Sequence, residues 1–427
     1  MTAFRYHSPM DATINQSSAN PRGAFAAMGG AYFLGTYNDN FFKQAVMLIA
    51  VGAGRTEFQG RAALAFLLPF VLFAAPAGWA ADRFEKRSVV VIAKATELLG
   101  AAVGAAGLIT GNLWLMSGMV GLMGLQSCFF SPALNGSIPE LFAGERVTRV
   151  NAVFRLLVTM GILVGTAAAG IVLDLPGAPI LGAAFGRGAL AAAIMAVGAI
   201  GLAVSFGVPR RPAADPARSF PWTGPIDTLR ELRRASADRL LGTIIGADVF
   251  IWSLGALQLL LINPMGLLQF HLSKQHTSFL VASQMIGIGL GGMLAARLAK
   301  GARWHRVLAP AGLAMAVFLG GIFSLPSLPA GWQLPLLYPL LALVGAGGGL
   351  VMIPCESFLQ VRPAPERKGA VWASANFAVF LGMAIASGLS NLLNRVLLPT
   401  QSFGLLAISA ILFALLIAPA LRKGEAR

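Results

Sequence analysis

The chain has 427 residues, of which 56% are hydrophobic and only 11% charged. A soluble domain carries about a quarter charged residues, so a water-soluble enzyme or binding module is excluded and lipid is the main solvent. The net charge of +15 would suit nucleic acid, but the basic residues stand in short clusters between apolar runs, which is the pattern of membrane loops.

A helix needs about 20 mostly apolar residues to cross the hydrocarbon core. Twelve segments qualify: 24–53, 61–81, 88–110, 113–142, 147–173, 178–207, 239–262, 276–299, 306–326, 333–357, 368–395 and 401–421. Residues 1–23 are polar and lack the short apolar core and small-residue cleavage site of a signal peptide, so they read as a tail and the first helix directs insertion itself. Residues 24–207 then form one six-helix half, 208–238 a linker, 239–421 a second six-helix half, and 422–427 a closing tail. Connections as short as Thr110-Gly111-Asn112 make neighbouring spans antiparallel. Within the Pro-, Arg- and Asp-rich linker, 226–237 reads either as a basic amphipathic helix on an anionic leaflet or as a plain solvated connection.

Lys and Arg set the orientation. Nineteen of them follow even-numbered spans, among them Arg83, Lys86, Arg87, Arg149, Arg210, Arg233, Arg297, Arg362 and Lys368. Only five, Arg55, Arg61, Arg187, Lys274 and Arg395, follow odd-numbered spans. Both termini, including Arg422 and Lys423, are therefore expected in the cytoplasm.

The second and third spans are joined by Gly78-Trp-Ala-Ala-Asp82-Arg83-Phe-Glu-Lys86-Arg87. This resembles the Gly-x-x-x-Asp-Arg-x-x-Arg/Lys-Arg/Lys loop of the major facilitator superfamily. Gly78 is expected to let two helices approach, Asp82 to accept charge-assisted bonds, and the basic residues to anchor the loop. The matching place after span eight reads Gly292-Met-Leu-Ala-Ala-Arg297-Leu-Ala-Lys300, with Ala296 where Asp82 would fall. Glu145-Arg146 before Asn151-Ala-Val-Phe is likewise echoed by Glu366-Arg367 before Asn376-Phe-Ala-Val-Phe. Such echoes are what a duplicated transporter predicts. The resemblance implies an all-α polytopic membrane protein of twelve transmembrane helices in two six-helix halves, the major facilitator fold.

A narrower resemblance rests on Leu34-Gly-Thr-Tyr-Asn38-Asp39-Asn40-Phe-Phe-Lys43, Lys94-x-x-Glu97, Gln126-Ser-Cys-Phe-Phe-Ser-Pro132 and Ile138-Pro139-Glu140-Leu141. With the loop above, these resemble the bacterial lysophospholipid transporter family. The resemblance implies carriage of lysophospholipids such as lysophosphatidylethanolamine across the inner membrane, for reacylation on the cytoplasmic side. The chain departs from that pattern at Leu134 or Asn135, one of which stands where the family often has Lys, and at Arg155, where it often has an acid. The expected partners are a lysophospholipid, membrane lipids and a separate acyltransferase/acyl carrier protein synthetase, with no nucleic acid, and the carrier is expected to be a monomer.

Charged groups inside a bilayer are expensive and face a partner or a watery cavity. Asp39 and Lys43 are four apart with the acid first, so they share a face and can pair. With Asn38 and Asn40 they read as a headgroup site, Lys43 meeting phosphate and Asp39 an amine or proton; the alternative is a structural pair holding span one against span five or seven. Asp248 is a second amine or proton site, or a partner of Arg155. Arg155 binds phosphate as a planar fork or neutralises Glu140. Gln126 is a cavity donor or a bridge between helices, Lys94 and Glu97 a structural pair, and Asn151 and Asn376 matched bridges. Glu140 and Glu356 join Gly78, Asp82, Arg83, Lys86 and Arg87 as gating residues.

No metal or cofactor is implied. Cys128 and Cys355 stand in apolar segments without metal-ligand spacing. His271, His276 and His305 lack the Asp four residues on that an acyltransferase would need, and His7, which has Asp11 there, stands in the polar N-terminal tail, so no enzyme is expected. The rival within the same fold is a proton-coupled carrier of another small amphiphile or drug. Gly161, Gly165 and Gly170 in span five lack the proline of an antiporter signature.

Overall fold

Backbone N–H and C=O groups in lipid have no water to bond, so apolar runs of this length fold as helices that satisfy themselves. The computed structural model describes residues 21–142, 145–299, 301–364 and 367–425, and its regular structure is helical throughout. The expected N-terminal tail, save its last residues, and Glu366 lie outside the described residues. The helices are α1 Pro21–Gly52, α2 Glu57–Leu72, α3 Ala74–Arg83, α4 Lys86–Thr110, α5 Leu113–Leu141, α6 Glu145–Leu173 and α7 Phe185–Ser205. After the linker helix α8 Gly224–Ala237 come α9 Arg239–Pro264, α10 Lys274–Leu298, α11 Leu308–Ser324, α12 Ala330–Val361, α13 Lys368–Val396 and α14 Pro399–Glu425.

Local chemistry sets the ends. Gly111, at φ 71°, closes α4 in a left-handed cap, and the Asn112 side chain accepts from the Trp114 and Leu115 amides to open α5. Asp238 caps α9 in the same way through the Leu240 and Leu241 amides. Among the described residues ten stretches are singly long and apolar enough to cross a membrane, and α2 with α3, taken as one bent span, makes an eleventh. The remaining long helix, α1, has 32 residues and carries a polar run at 38–40, 43 and 44.

Two expected spans differ in form. The second is not one rod: α2 and α3 meet at Phe73 with a 56° bend. Pro76 has no N–H to return to the Leu72 carbonyl, which weakens the helix there. The sixth begins at Phe185 and not at 178, because Ile180 and Ala183 pair backbone to backbone around Leu181 and Gly182, both at positive φ.

Apolar packing forms two bodies. One lies within residues 24–208, around Met28, Phe130 and Phe154 and around Phe41, Phe42 and Met119. The other runs from Ala235 to Leu421. Its α10 and α12 touch backbone to backbone. A Cβ at Gly287 would lie 1.9 Å from the Ala342 carbonyl oxygen, and one at Gly291 would lie 2.0 Å from that of Ala346. Met47, Ala63 and Leu260 join the two bodies. Alternating spans give the bundle a basic face, with the α3–α4 loop, the linker and the α12–α13 loop, and an opposite far face.

Candidate functional site

A cavity of about 330 Å³ lies between the two bodies, walled by α1, α2, α9 and α13. Met47, Phe66, Leu67, Trp252, Leu259 and Phe380 make most of its lining apolar, with Asn376 and Ser387 adding amide and hydroxyl groups. Lys43 is the one charged residue in the wall. Its ammonium stands 4.6 Å from the centre of the Phe66 ring, a cation–π contact. Phe70 and Phe380 stack at 4.5 Å, closing α2 against α13.

Asp39 turns the other way. It is 6% exposed and accepts from Ser127 Oγ at 2.5 Å and Gln126 Nε2 at 3.2 Å, both on α5. The expected Asp39–Lys43 pair is therefore not formed: α5 offers the carboxylate two donors, while the lysine extends into the cavity. Among the described residues no carboxylate lies within 4.0 Å of Lys43. Gln126 bridges α5 to α1, and Asn40 bonds the Thr36 carbonyl of its own helix at 2.8 Å. Asn38 instead donates to Glu97 at 3.0 Å. Glu97 also takes Lys94 Nζ at 2.6 Å, with both side chains essentially unexposed at 1% and 0%. Lys94 lies 4.6 Å from the Phe130 ring centre, and Gly35 makes room for it, since a Cβ there would sit 2.3 Å from the ammonium.

At the basic face Lys86 pairs with Glu140, tying α4 to α5. Asp82 pairs with Arg218 of the linker, whose carbonyl accepts from Trp79 Nε1 at 3.0 Å and Arg83 at 3.5 Å. Arg87 bonds the Phe206 carbonyl at 2.8 Å. Gly78 has nothing within 4 Å of a built Cβ, so helix approach is not its role here. Arg155 reaches across to Glu356 on α12 at 3.7 Å. It pairs with neither Glu140, which Lys86 holds, nor Asp248. Asp248 is 4% exposed on α9, and its Oδ1 has no hydrogen-bond partner. Asn151 is exposed and Asn376 lines the cavity, so the expected matched bridges are not built. Asn135 accepts from the Tyr32 hydroxyl.

The far face holds contacts that sequence reasoning missed. Asp174 at the end of α6 takes Lys274 Nζ at 3.2 Å and the Gln275 amide at 2.8 Å. Gln44 donates to Asn263 at 3.0 Å, Asn263 to Gln59 at 2.8 Å, and Gln59 to the Leu260 carbonyl at 2.9 Å. These join the two bodies beyond the cavity. The available signal was three amide side chains in otherwise apolar helices.

The family model of the Major Facilitator Superfamily matches residues 23–387. The lysophospholipid transporter LplT of Cronobacter sakazakii is 29% identical over 415 residues, covering 94% of this chain and 97% of that protein. The protein of the same name from Yersinia pestis is 31% identical over 304 residues, 70% of this chain and 68% of its own. Among solved structures, the nucleoside transporter NupG superposes with a TM-score of 0.71 at 13% identity, over 94% of this chain and all of its own (100%). A POT family transporter in complex with 5-aminolevulinic acid gives 0.68 at 12% identity, over 97% and 99%. At such identities the solved structures speak for the fold alone.

Proposed function

The chain belongs to the Major Facilitator Superfamily and is a multi-pass transporter, not an enzyme, and from that premise we propose that its cargo is a lysophospholipid such as lysophosphatidylethanolamine. One observation carries this reading. A mostly apolar cavity between the two bodies holds a single charged side chain, the Lys43 ammonium, with no carboxylate within 4.0 Å of it among the described residues. A cation in an apolar chamber suits an amphiphile whose phosphate is anionic and whose tail is hydrocarbon. The name that the relatives carry supports the same cargo.

Lys43 binds the phosphate, and the apolar wall accepts the acyl chain. Asp39 acts through α5: with Gln126 and Ser127 it fixes α1 so that Lys43 faces the cavity. Asp174–Lys274 and the amide chain around Asn263 close the far face, while Arg155–Glu356 and the Asp82 loop gate the basic face. The two bodies rock about the cavity to expose it alternately. The excess of Lys and Arg at the basic face supports a cytoplasmic position for it, with both termini cytoplasmic and the chain in a bacterial inner membrane, where reacylation follows import.

Purified protein in liposomes is expected to move labelled lysophosphatidylethanolamine between leaflets, and Lys43→Ala to slow that movement. Movement no faster than in protein-free liposomes removes the lysophospholipid reading. A second reading, proton-coupled carriage of another small amphiphile or drug, draws on Asp248, whose buried and unpartnered carboxyl oxygen suits a proton. Drug-driven proton uptake without lysophospholipid movement would select it.

A further inference from the structure

The linker helix α8 has two unlike faces. Gly224 and Ala235 are buried, and Thr228, Glu231 and Leu232 are half-buried, on the side that packs against α9 and α13. Glu231 there accepts from Arg367 of α13's N-cap at 2.7 Å. Opposite lie Ile226, 52% exposed, Leu229, 50% exposed, and the exposed Arg230 and Arg233, with Trp222, 85% exposed, one turn before them. All four acids of the linker are engaged. Asp215 accepts from the Ala217 amide at 3.2 Å, Asp227 from Arg230 at 3.0 Å, Glu231 from Arg367, and Asp238 from Arg362 at 3.2 Å. Among the described residues Arg233 and Arg234 have no acid within 4.0 Å.

We propose that this stripe, Trp222, Ile226, Leu229 and Arg233 with Arg234 at its edge, docks on the anionic lipid headgroups of the leaflet at the basic face. Three features favour a lipid surface. The helix runs into the spanning α9 with Asp238 alone between them, so it is tethered at the level of the headgroups. Apolar side chains beside unneutralised arginines gain at an anionic interface, and tryptophan favours that depth. A stripe of three apolar residues is also smaller than the core of a stable protein interface.

The test uses the full chain in nanodiscs of phosphatidylcholine, with and without phosphatidylglycerol, each prepared with and without brominated acyl chains. The Trp222 signal is the difference between wild type and Trp222→Phe. Brominated lipid is expected to quench that signal in discs containing phosphatidylglycerol and to quench it far less in phosphatidylcholine alone. Arg233→Gln with Arg234→Gln weakens docking roughly thirtyfold and so loses the quenching, while amide exchange shows α8 still helical. An unquenched Trp222 in anionic discs overturns the proposal, as does equal quenching in both lipids. Shielding that appears only in discs holding two copies of the chain also overturns it, in favour of a protein contact. The cargo of the carrier does not enter any of these outcomes.

Discussion

Glu97→Gln changes shape little and charge completely, which isolates the worth of the ion pair inside the first body. The carboxylate is 1% exposed and accepts from Lys94 at 2.6 Å and from Asn38 at 3.0 Å. The glutamine leaves the Lys94 ammonium, itself 0% exposed, with an amide and the Phe130 ring as its surroundings. A buried charge stripped of its partner costs about 3–5 kcal/mol, and 3 kcal/mol alone lowers the folded-to-unfolded ratio roughly 150-fold. Removing both charges with Lys94→Met and Glu97→Leu is expected to restore stability to within about 1 kcal/mol of wild type, because well-packed apolar groups replace a buried pair at little cost. Denaturant unfolding in mixed micelles, followed by helical circular dichroism on wild type, Glu97→Gln and the double variant, measures this. A loss below about 1 kcal/mol for Glu97→Gln, or a double variant as unstable as the single, refutes the reasoning.

Lys43→Ala is expected to cut lysophosphatidylethanolamine movement by about tenfold or more, the worth of a charge-assisted bond of ~1.5–3 kcal/mol, with unchanged thermal unfolding; Lys43→Arg retains part of it. Gly291→Leu forces a side chain into the Ala346 carbonyl, 2.0 Å from its Cβ, and is expected to destabilise the second body by about 3 kcal/mol or more, visible as lost monodisperse protein in gel filtration. Asp174→Asn loses the charge that holds Lys274 at 3.2 Å. Thiol labelling of Ile49→Cys, in the neighbouring far-face cavity, should then rise several-fold.

The spans were legible because lipid leaves an apolar run of 20 residues few options other than a helix. What was not legible followed from tertiary detail. Residues 178–184 are as apolar as a span, yet the turn at Leu181 and Gly182 holds them outside α7. The bend at Phe73 could not be read from Pro69 and Pro76, since membrane helices carry proline without breaking. At the site, the four-residue spacing allowed Asp39 and Lys43 to pair, but Ser127 on α5 takes the acid instead. Arg155 could not be paired from the sequence either, because its partner Glu356 lies some two hundred residues on, in the other body.

The glycine contact between α10 and α12 bears on how the carrier moves. At Gly287, Gly291, Gly345 and Gly349 backbone meets backbone, leaving few rotamers to absorb a small displacement, so the pair behaves as one stiff lever. Its far end carries Lys274 and its basic end carries Glu356, and both are held by the same helix opposite, α6, through Asp174 and Arg155. Those two points on α6 are about 28 Å apart along the axis, close to the thickness of the hydrocarbon core. A tilt that slackens one latch must load the other, so news of an opening at one side of the membrane reaches the opposite side through the skeleton of the protein and needs no relay of side chains.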